Sequence, residues 1–231
     1  MTGPPETIHR MIKPVFFSAV FVMSLFLAAG SADAVQPCTP FEGGRVDAKT
    51  LATMRDAAKN GRLYRVDAGV SKVGFCVRHF PFQEFRGEFT NIVGGLAFPP
   101  DPAQYGQALL LIHTSSLKSD NTALVPLVKG NNFMDTADYP EILYIGRRFE
   151  WLNAVQAHIH GELTLRGRTQ PVIFDVEVDV LEDTNGNQAD RIRLRGASHV
   201  SRFKFDMLSH RFFVSETVQL CLDVELLPWG H

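Results

Sequence analysis

The sequence predicts an all-β fold, an antiparallel barrel or sandwich of about eight strands. Three observations predict it. From Leu63 onward, apolar residues recur at every second position, as in Val73, Phe75 and Val77 against Gly74, Cys76 and Arg78. Such alternation marks a strand with one covered face. Turn signals separate these stretches, among them Asn185-Gly186 and the tight turn between Leu165 and Val172. Helical patterns are confined to Asp47–Gly61 and to a short segment, Asn121–Gly130, inside a long connection.

The elements follow in order. Arg10 and Lys13 precede an apolar run from Val15 to Ala29, and Ala32-Asp33-Ala34 supplies the small residues of a signal-peptidase site. The run is short for a membrane span, which needs about 20 apolar residues. Residues 1–34 are therefore expected to be a signal peptide cleaved after Ala34. Met11 is an alternative start to Met1, because Pro4-Pro5-Glu6 is unusual in a signal sequence. Residues 35–62 form a leader and N-terminal helix, and 63–227 the barrel. In the helix, Asp47 caps the start, Leu51, Met54 and Ala58 form the apolar stripe, and Gly61 ends it. It is expected to cover a hydrophobic edge or opening of the domain.

Phe85–Thr90 and Gly94–Phe98 read as one long strand kinked at Ile92–Gly95. Gln107–Thr114 is nearly all apolar, as in a strand covered on both sides. Glu141–Ile145, Val155–Leu165, Val172–Leu181, Ile192–Val200 and Thr217–Leu226 complete the set. One hairpin can be registered. Asp175, Glu177 and Asp179 share a face before the turn, and Arg191, Arg193 and Arg195 share one after it. Pairing Asp179 with Arg191, Glu177 with Arg193 and Asp175 with Arg195 makes the Arg stripe a cross-strand partner rather than an anion-binding patch.

Composition narrows the function classes. The formal net charge of −2 argues against nucleic acid as a partner. All three cysteines, Cys38, Cys76 and Cys221, would enter an oxidising compartment. Cys76 and Cys221 lie opposite the apolar parity of their strands, so both should face outward. If the first and last strands adjoin, these two form a cross-strand disulfide; the alternatives are a bond from Cys38 to one of them, or three reduced thiols.

Several motif matches fail on chemistry. Ser115-Ser116-Leu117-Lys118 and Ser119-Asp120-Asn121 imitate penicillin-binding motifs, but those lie far apart in sequence, and Lys-Thr-Gly is absent. Asp183-Thr-Asn185-Gly-Asn187 resembles a calcium loop with its glycine misplaced and Leu194 where the bidentate glutamate belongs. His158, His160 and Glu162 share a strand face opposite Ile159, Leu163 and Leu165, which makes them a solvent row rather than a metal site. No paired spacing demands catalysis, and neither a metal nor a cofactor is expected.

The order of short motifs resembles the YceI-like family, the lipocalin-like periplasmic polyisoprenoid-binding proteins. The pieces are Tyr64-Arg-Val-Asp67, Ser71-x-Val73-x-Phe75-x-Val77-x-His79 and Arg86-Gly-Glu-Phe89, then Thr114-Ser-Ser-Leu117, Asn121, Asn132-Phe-Met-Asp135 and Tyr139-Pro-Glu-Ile142. Gly161-Glu-Leu-Thr164, Gly167-x-Thr169-x-Pro-Val172 and Ser201-Arg202-Phe203-x-Phe205 complete the series. Val70 and Asp206 stand where the family often has His and Gly. The resemblance implies an eight-stranded lipocalin-like barrel with a long isoprenoid or similar amphiphile in its lumen.

Parity then predicts the ligand-binding lining: Phe75, Val77, Phe89, Leu96, Phe98, Leu110, Ile112, Ile142, Tyr144, Leu163, Leu165, Phe174, Val176, Leu194, Leu220 and Leu222. His79 follows the inward parity near a strand end, where it would meet a polar headgroup or serve as a rim histidine bonded to backbone. Phe133 and Tyr139, in the long connection, would gate the pocket or pack ordinarily. The expected function is a non-enzymatic, periplasmic carrier or sequestering protein for a quinone, polyprenyl chain or fatty amphiphile, with transient membrane contact for ligand exchange. It would be a monomer or a homodimer. Two other classes stay open: an enzyme using the lumen as a reaction chamber through His79, Tyr144 or Arg202, and a partner-docking barrel with a filled core.

Overall fold

The computed structural model describes residues 48–60, 62–80, 83–98, 106–182 and 188–229. The expected signal peptide, Cys38, the Asp47 cap, the Gly61 stop and the 183–187 turn lie outside the described residues.

Eleven hydrogen-bonded segments form one antiparallel sheet that closes on itself. They are β1 (Leu63–Val66), β2 (Lys72–His79), β3 (Gln83–Phe89), β4 (Ile92–Ala97), β5 (Gln107–His113), β6 (Leu117–Lys118), β7 (Glu141–Trp151), β8 (Gln156–Leu165), β9 (Arg168–Glu182), β10 (Gln188–Ser201) and β11 (Val214–Pro228). Three pairs, β1/β2, β3/β4 and β5/β6, are each one long strand interrupted once, so the barrel has the expected eight strands. β11 closes it by pairing β1 at Tyr64↔Pro228 and β2 at Leu220↔Phe75. Closure leaves no long free edge to template aggregation.

The interruptions fall side by side and have local causes. Between β1 and β2, Ser71 substitutes for the lost ladder: its hydroxyl accepts from Glu225 N–H at 3.0 Å while Asp67 N–H donates to Glu225 O at 2.8 Å. In the next strand the break is at Thr90–Asn91, not at Ile92–Gly95. Gly94 and Gly95 are regular ladder residues opposite Leu110 and Leu109. The glycine serves close approach instead, since a Cβ on Gly94 would stand 2.4 Å from the Leu109 carbonyl oxygen. In the third pair a 3₁₀ turn, Thr114–Ser116, makes the break.

The β8–β9 turn has two left-handed residues, Arg166 (φ 50) and Gly167 (φ 67), the pattern of a tight type I′ hairpin. Arg166 tolerates that backbone because its side chain is anchored: it donates to Phe133 O at 2.8 Å and lies over the Tyr139 ring. Asp206 is also left-handed, at φ 59, which explains why glycine suits this position. Arg168 holds its carboxylate at 2.5 and 2.9 Å.

The β9–β10 register departs from expectation by two residues. Arg193 faces Asp179, Arg195 faces Glu177, and Leu194 faces Val178, after an irregularity between Gln188 and Arg191. A two-residue slip keeps every side chain on its face, so the inward parity survives. The charge partners change. Arg195 binds Asp179 at 2.7 Å, whereas Arg193 and Arg191 reach across to Asp223 and Glu225 of β11. The stripe remains a cross-strand ion-pair row, now held between two acidic strands.

The N-terminal helix α1 spans Ala48–Lys59. Its buried face is Thr50, Met54 and Ala57, with Leu51 and Ala58 only half-buried. The stripe is turned from the expected one: Met54 and Ala57 carry the apolar contact, and Thr50 on the same face accepts from Arg147 of β7 at 3.0 Å. α1 lies on the outside of the barrel, where Leu63, Ala97, Leu109, Leu143 and Ile145 form a second apolar cluster with Met54 and Ala57. This accounts for the apolar run of β5. Leu109 and Leu111 face the helix, while Leu110 and Ile112 face the lumen.

Candidate functional site

The lumen divides into two regions. At the end where β1 meets β11, Tyr64, Leu96, Phe98, Val176, Ile192, Leu194 and Leu226 join the packed core. At the other end the inward residues of β2, β3, β5 and β7–β11 surround a cavity of ≈ 240 Å³. The expected lining divides accordingly. Phe75, Val77, His79, Phe89, Leu110, Ile112, Phe133, Ile142, Tyr144, Leu163, Leu165, Phe174, Leu220 and Leu222 line the cavity. Leu96, Phe98, Val176 and Leu194 point the same way but sit in the packed region, off the cavity. Phe98 instead packs edge-on against Tyr64, with ring centroids 5.7 Å apart.

Aromatic rings form much of the wall. Phe75 lies between Phe85 and Phe89, with centroids 5.8 and 6.0 Å away. Tyr144 meets Phe174 edge-to-face at 5.0 Å and donates its hydroxyl to Ile159 O at 2.9 Å. Burial pushes the Tyr144 phenol well above its usual pKa. Gly161 makes room for that ring, because a Cβ there would stand 2.6 Å from the Tyr144 hydroxyl oxygen.

The cavity is roofed by the long connection. Helix α2 (Val125–Lys129) begins with Pro126 in its first turn and ends at Gly130. Leu124, Leu127 and Val128 turn inward beside Phe133 and Met134. Phe133 is buried, stacking on His210 at 5.6 Å. Tyr139 does not line the cavity; it packs under Arg166, and its carbonyl accepts from the Thr114 hydroxyl at 3.0 Å. At the mouth stand His79, Phe80, Phe213 and Val214. His79 Nδ1 lies 3.3 Å from Phe80 O, so it is a rim histidine bonded to backbone and also part of the lining.

Arg202 is the lining residue with the most unusual chemistry. It is 1 % exposed and donates only to backbone carbonyls: Ser215 O at 2.9 Å, Ser209 O at 2.9 Å, Val214 O at 3.0 Å, and Met207 O. Burial lowers its pKa, against a weaker opposing influence from Glu216. Val73 and Phe85 also line the cavity and follow the strand parity. Leu127 and Val128 come from the five-residue helix α2, and Leu124, Met207 and Phe213 from irregular segments, all too short or irregular for a period to mark them.

Two features of the barrel's outer face carry titratable side chains. His158 and His160 face solvent, but their third neighbour is Glu150 of β7, not Glu162. His160 Nε2 lies 2.8 Å from Glu150 and 3.1 Å from Arg148, and His158 lies 3.3 Å from Asp175. Glu162 pairs with Arg147 at 3.1 Å. Arg148 and Glu150 thus both engage His160 Nε2. The hydrogen bond from His160, helped by the Arg148 charge, holds the Glu150 carboxyl below its usual range.

Cys76 and Cys221 are half-buried neighbours on β2 and β11. Cys76 is opposite Gln219 and Cys221 opposite Gly74, a diagonal rather than a direct pairing, and both are thiols in this structure. Burial, then Glu84 and Cys221, raise the Cys76 pKa.

The sequence profile of the YceI-like domain matches residues 64–226. The chain belongs to the YceI-like family. Curated relatives include a UPF0312 protein of Vibrio cholerae, 22% identical over 52% of this chain and 65% of that one. Another, from Pseudomonas putida, is 27% identical over 50% of this chain and 57% of that one. The alignments thus span less than two thirds of the length of these relatives. Among solved structures, BcnA of Burkholderia cenocepacia superposes with a TM-score of 0.61 at 20% identity, covering 69% of this chain and 98% of that one. A polyisoprenoid binding domain from Saccharophagus degradans gives 0.55 at 16% identity, covering 71% and 98%. Against this YceI-like barrel the expected lipocalin-like, eight-stranded antiparallel architecture holds, with α1 and α2 as the two α-helices among the described residues.

Proposed function

We propose that this YceI-like protein binds a long-chain isoprenoid, such as a quinone or polyprenyl compound, or a similar amphiphilic lipid in its lumen. It carries or sequesters the ligand without catalysis. The observation that carries the reading is the cavity: ≈ 240 Å³ within the barrel, walled almost wholly by aliphatic and aromatic side chains and reached from one end. Such a space suits an insoluble tail, because each CH₂ removed from water contributes about 0.8 kcal/mol. The polyisoprenoid binding domain of Saccharophagus degradans, built on the same fold, supports an isoprenoid as the ligand.

Two features bear on the other classes. The polar lining groups are mostly committed to backbone, Tyr144 to Ile159 O, His79 to Phe80 O and four of the five Arg202 donors to carbonyls, which disfavours a reaction chamber. A docking barrel with a filled core would have no such cavity.

The ligand would be exchanged at a membrane through the mouth. Phe80 is 67% exposed, Phe213 60% and Phe212 89%, so the rim presents aromatic surface to its surroundings. Secretion to the periplasm through a signal peptide removed after Ala34 completes the reading, with lipid exchanged between membrane and lumen.

Delipidated protein offered a prenyl quinone, a polyprenol and a fatty acid tests this. Uptake of at least one, recovered chemically unchanged, is expected. Failure to take up any of them, or recovery of a converted product, would overturn it.

A further inference from the structure

Among the described residues, Arg202 is the one charged residue buried from solvent. It opens the 3₁₀ turn Arg202–Phe205 at the end of β10, and its side chain runs beneath the 206–213 segment to line the cavity. Its acceptors are four neutral carbonyls, and the flanking groups are the rings of Phe203 at 4.8 Å and Phe133 at 5.9 Å. No carboxylate of the described residues pairs with it. Glu216, the nearest in influence, is held by the Ser201 hydroxyl at 2.6 Å.

Carbonyl dipoles and ring faces soften a buried cation but do not neutralise it. A guanidinium carries five N–H donors. Four are committed: Nε to Ser215, two on Nη1 to Met207 and Ser209, and one on Nη2 to Val214. One Nη2 donor is left on a group that borders an apolar cavity. A tail alone would leave this buried cation without a counter-charge. A tail ending in an oxyanion would supply the missing counter-charge and take the remaining donor, the geometry a guanidinium favours.

We propose that Arg202 is the headgroup site of the cavity and selects amphiphiles ending in an oxyanion, a carboxylate or a phosphate, over neutral ones with the same tail. The inference rests on the lumen being the lipid site. It adds the chemistry of the head, which the aliphatic and aromatic walls leave unspecified.

The test is a set of paired affinities on the full mature protein, delipidated: palmitate against hexadecanol, and farnesyl phosphate against farnesol. At least tenfold tighter binding of an oxyanion than of its alcohol is expected, and the pair that shows it identifies carboxylate or phosphate as the head. Alcohols binding within threefold of both oxyanions would overturn the inference while leaving lipid binding intact. If none of the four binds, the lipid-binding reading itself fails. Arg202→Met should abolish the preference, whereas Arg211→Met, at an exposed cation stacked on Phe203, should retain it. The reverse pattern would refute the assignment. Should Arg202→Met not fold, the ¹⁵N resonances of the wild-type Arg202 guanidinium give the answer. They should shift with the favoured oxyanion and not with its alcohol; no shift would overturn the proposal.

Discussion

Leu163 and Leu194 form a natural pair for separating lumen from core. Both are leucines on inward strand faces, each 5% exposed. Leu163 lines the cavity, whereas Leu194 lies in the packed end beside Val178 and Val224, its two ladder neighbours. Truncation to alanine should cost each a similar stability, about 2–5 kcal/mol, because both lose a buried isopropyl group and leave space behind. Binding should split them. A tail packed on Leu163 loses contact with up to three carbons, about 1–2 kcal/mol, or roughly five- to thirtyfold in Kd. Leu194→Ala should leave Kd within about twofold, since its side chain never meets the ligand. Urea unfolding gives the stabilities, and displacement of a fluorescent fatty acid from folded protein gives the affinities. Equal loss of affinity in both variants would refute the placement of the ligand at one end, and so would an unchanged affinity in Leu163→Ala.

Three further outcomes follow from other parts of the molecule. Mild oxidation should link Cys76 to Cys221, seen by non-reducing peptide mapping; a bond from Cys38 to either would contradict it. Asp223 is held below its usual pKa, first by hydrogen bonds from Arg193, so its contribution to stability is present above the unfolded carboxylate value, about 3.9, and fades as pH falls through its lower folded value. Asp223→Asn should therefore lower the melting temperature at pH 7 and lose most of that deficit near pH 2; an equal deficit at both would contradict the pairing. Phe212→Asp, at the exposed rim, should slow ligand transfer from liposomes severalfold without changing affinity; an unchanged rate would remove the membrane-contact reading.

Strand parity made the inward and outward faces legible, because a period of two is set by the backbone alone. It does not tell height along the barrel, and for that reason Leu96, Phe98, Val176 and Leu194 share the parity of the cavity residues while sitting in the packed end. The apolar run of β5 correctly implied covering on both sides, and α1 is the second cover. The β9–β10 register is not legible in the same way, because an irregularity between Gln188 and Arg191 shifts the pairing by two, a change invisible to parity. The roof over the cavity was the least legible part. Leu127, Met207 and Phe213 sit in a five-residue helix and irregular connections, where apolar residues have no regular period to follow. Arg202 was legible as a motif residue, but its burial without a counter-charge emerged only from the packing.

A lumen built to hold lipid should retain it through purification. Native mass spectrometry of the protein purified from its own membrane-containing source, followed by solvent extraction, tests it most directly. The account predicts a mass excess that extraction removes and that is recovered as an isoprenoid or acyl amphiphile in near one-to-one ratio. A bare polypeptide mass, unchanged after incubation with prenyl and acyl compounds, would contradict it.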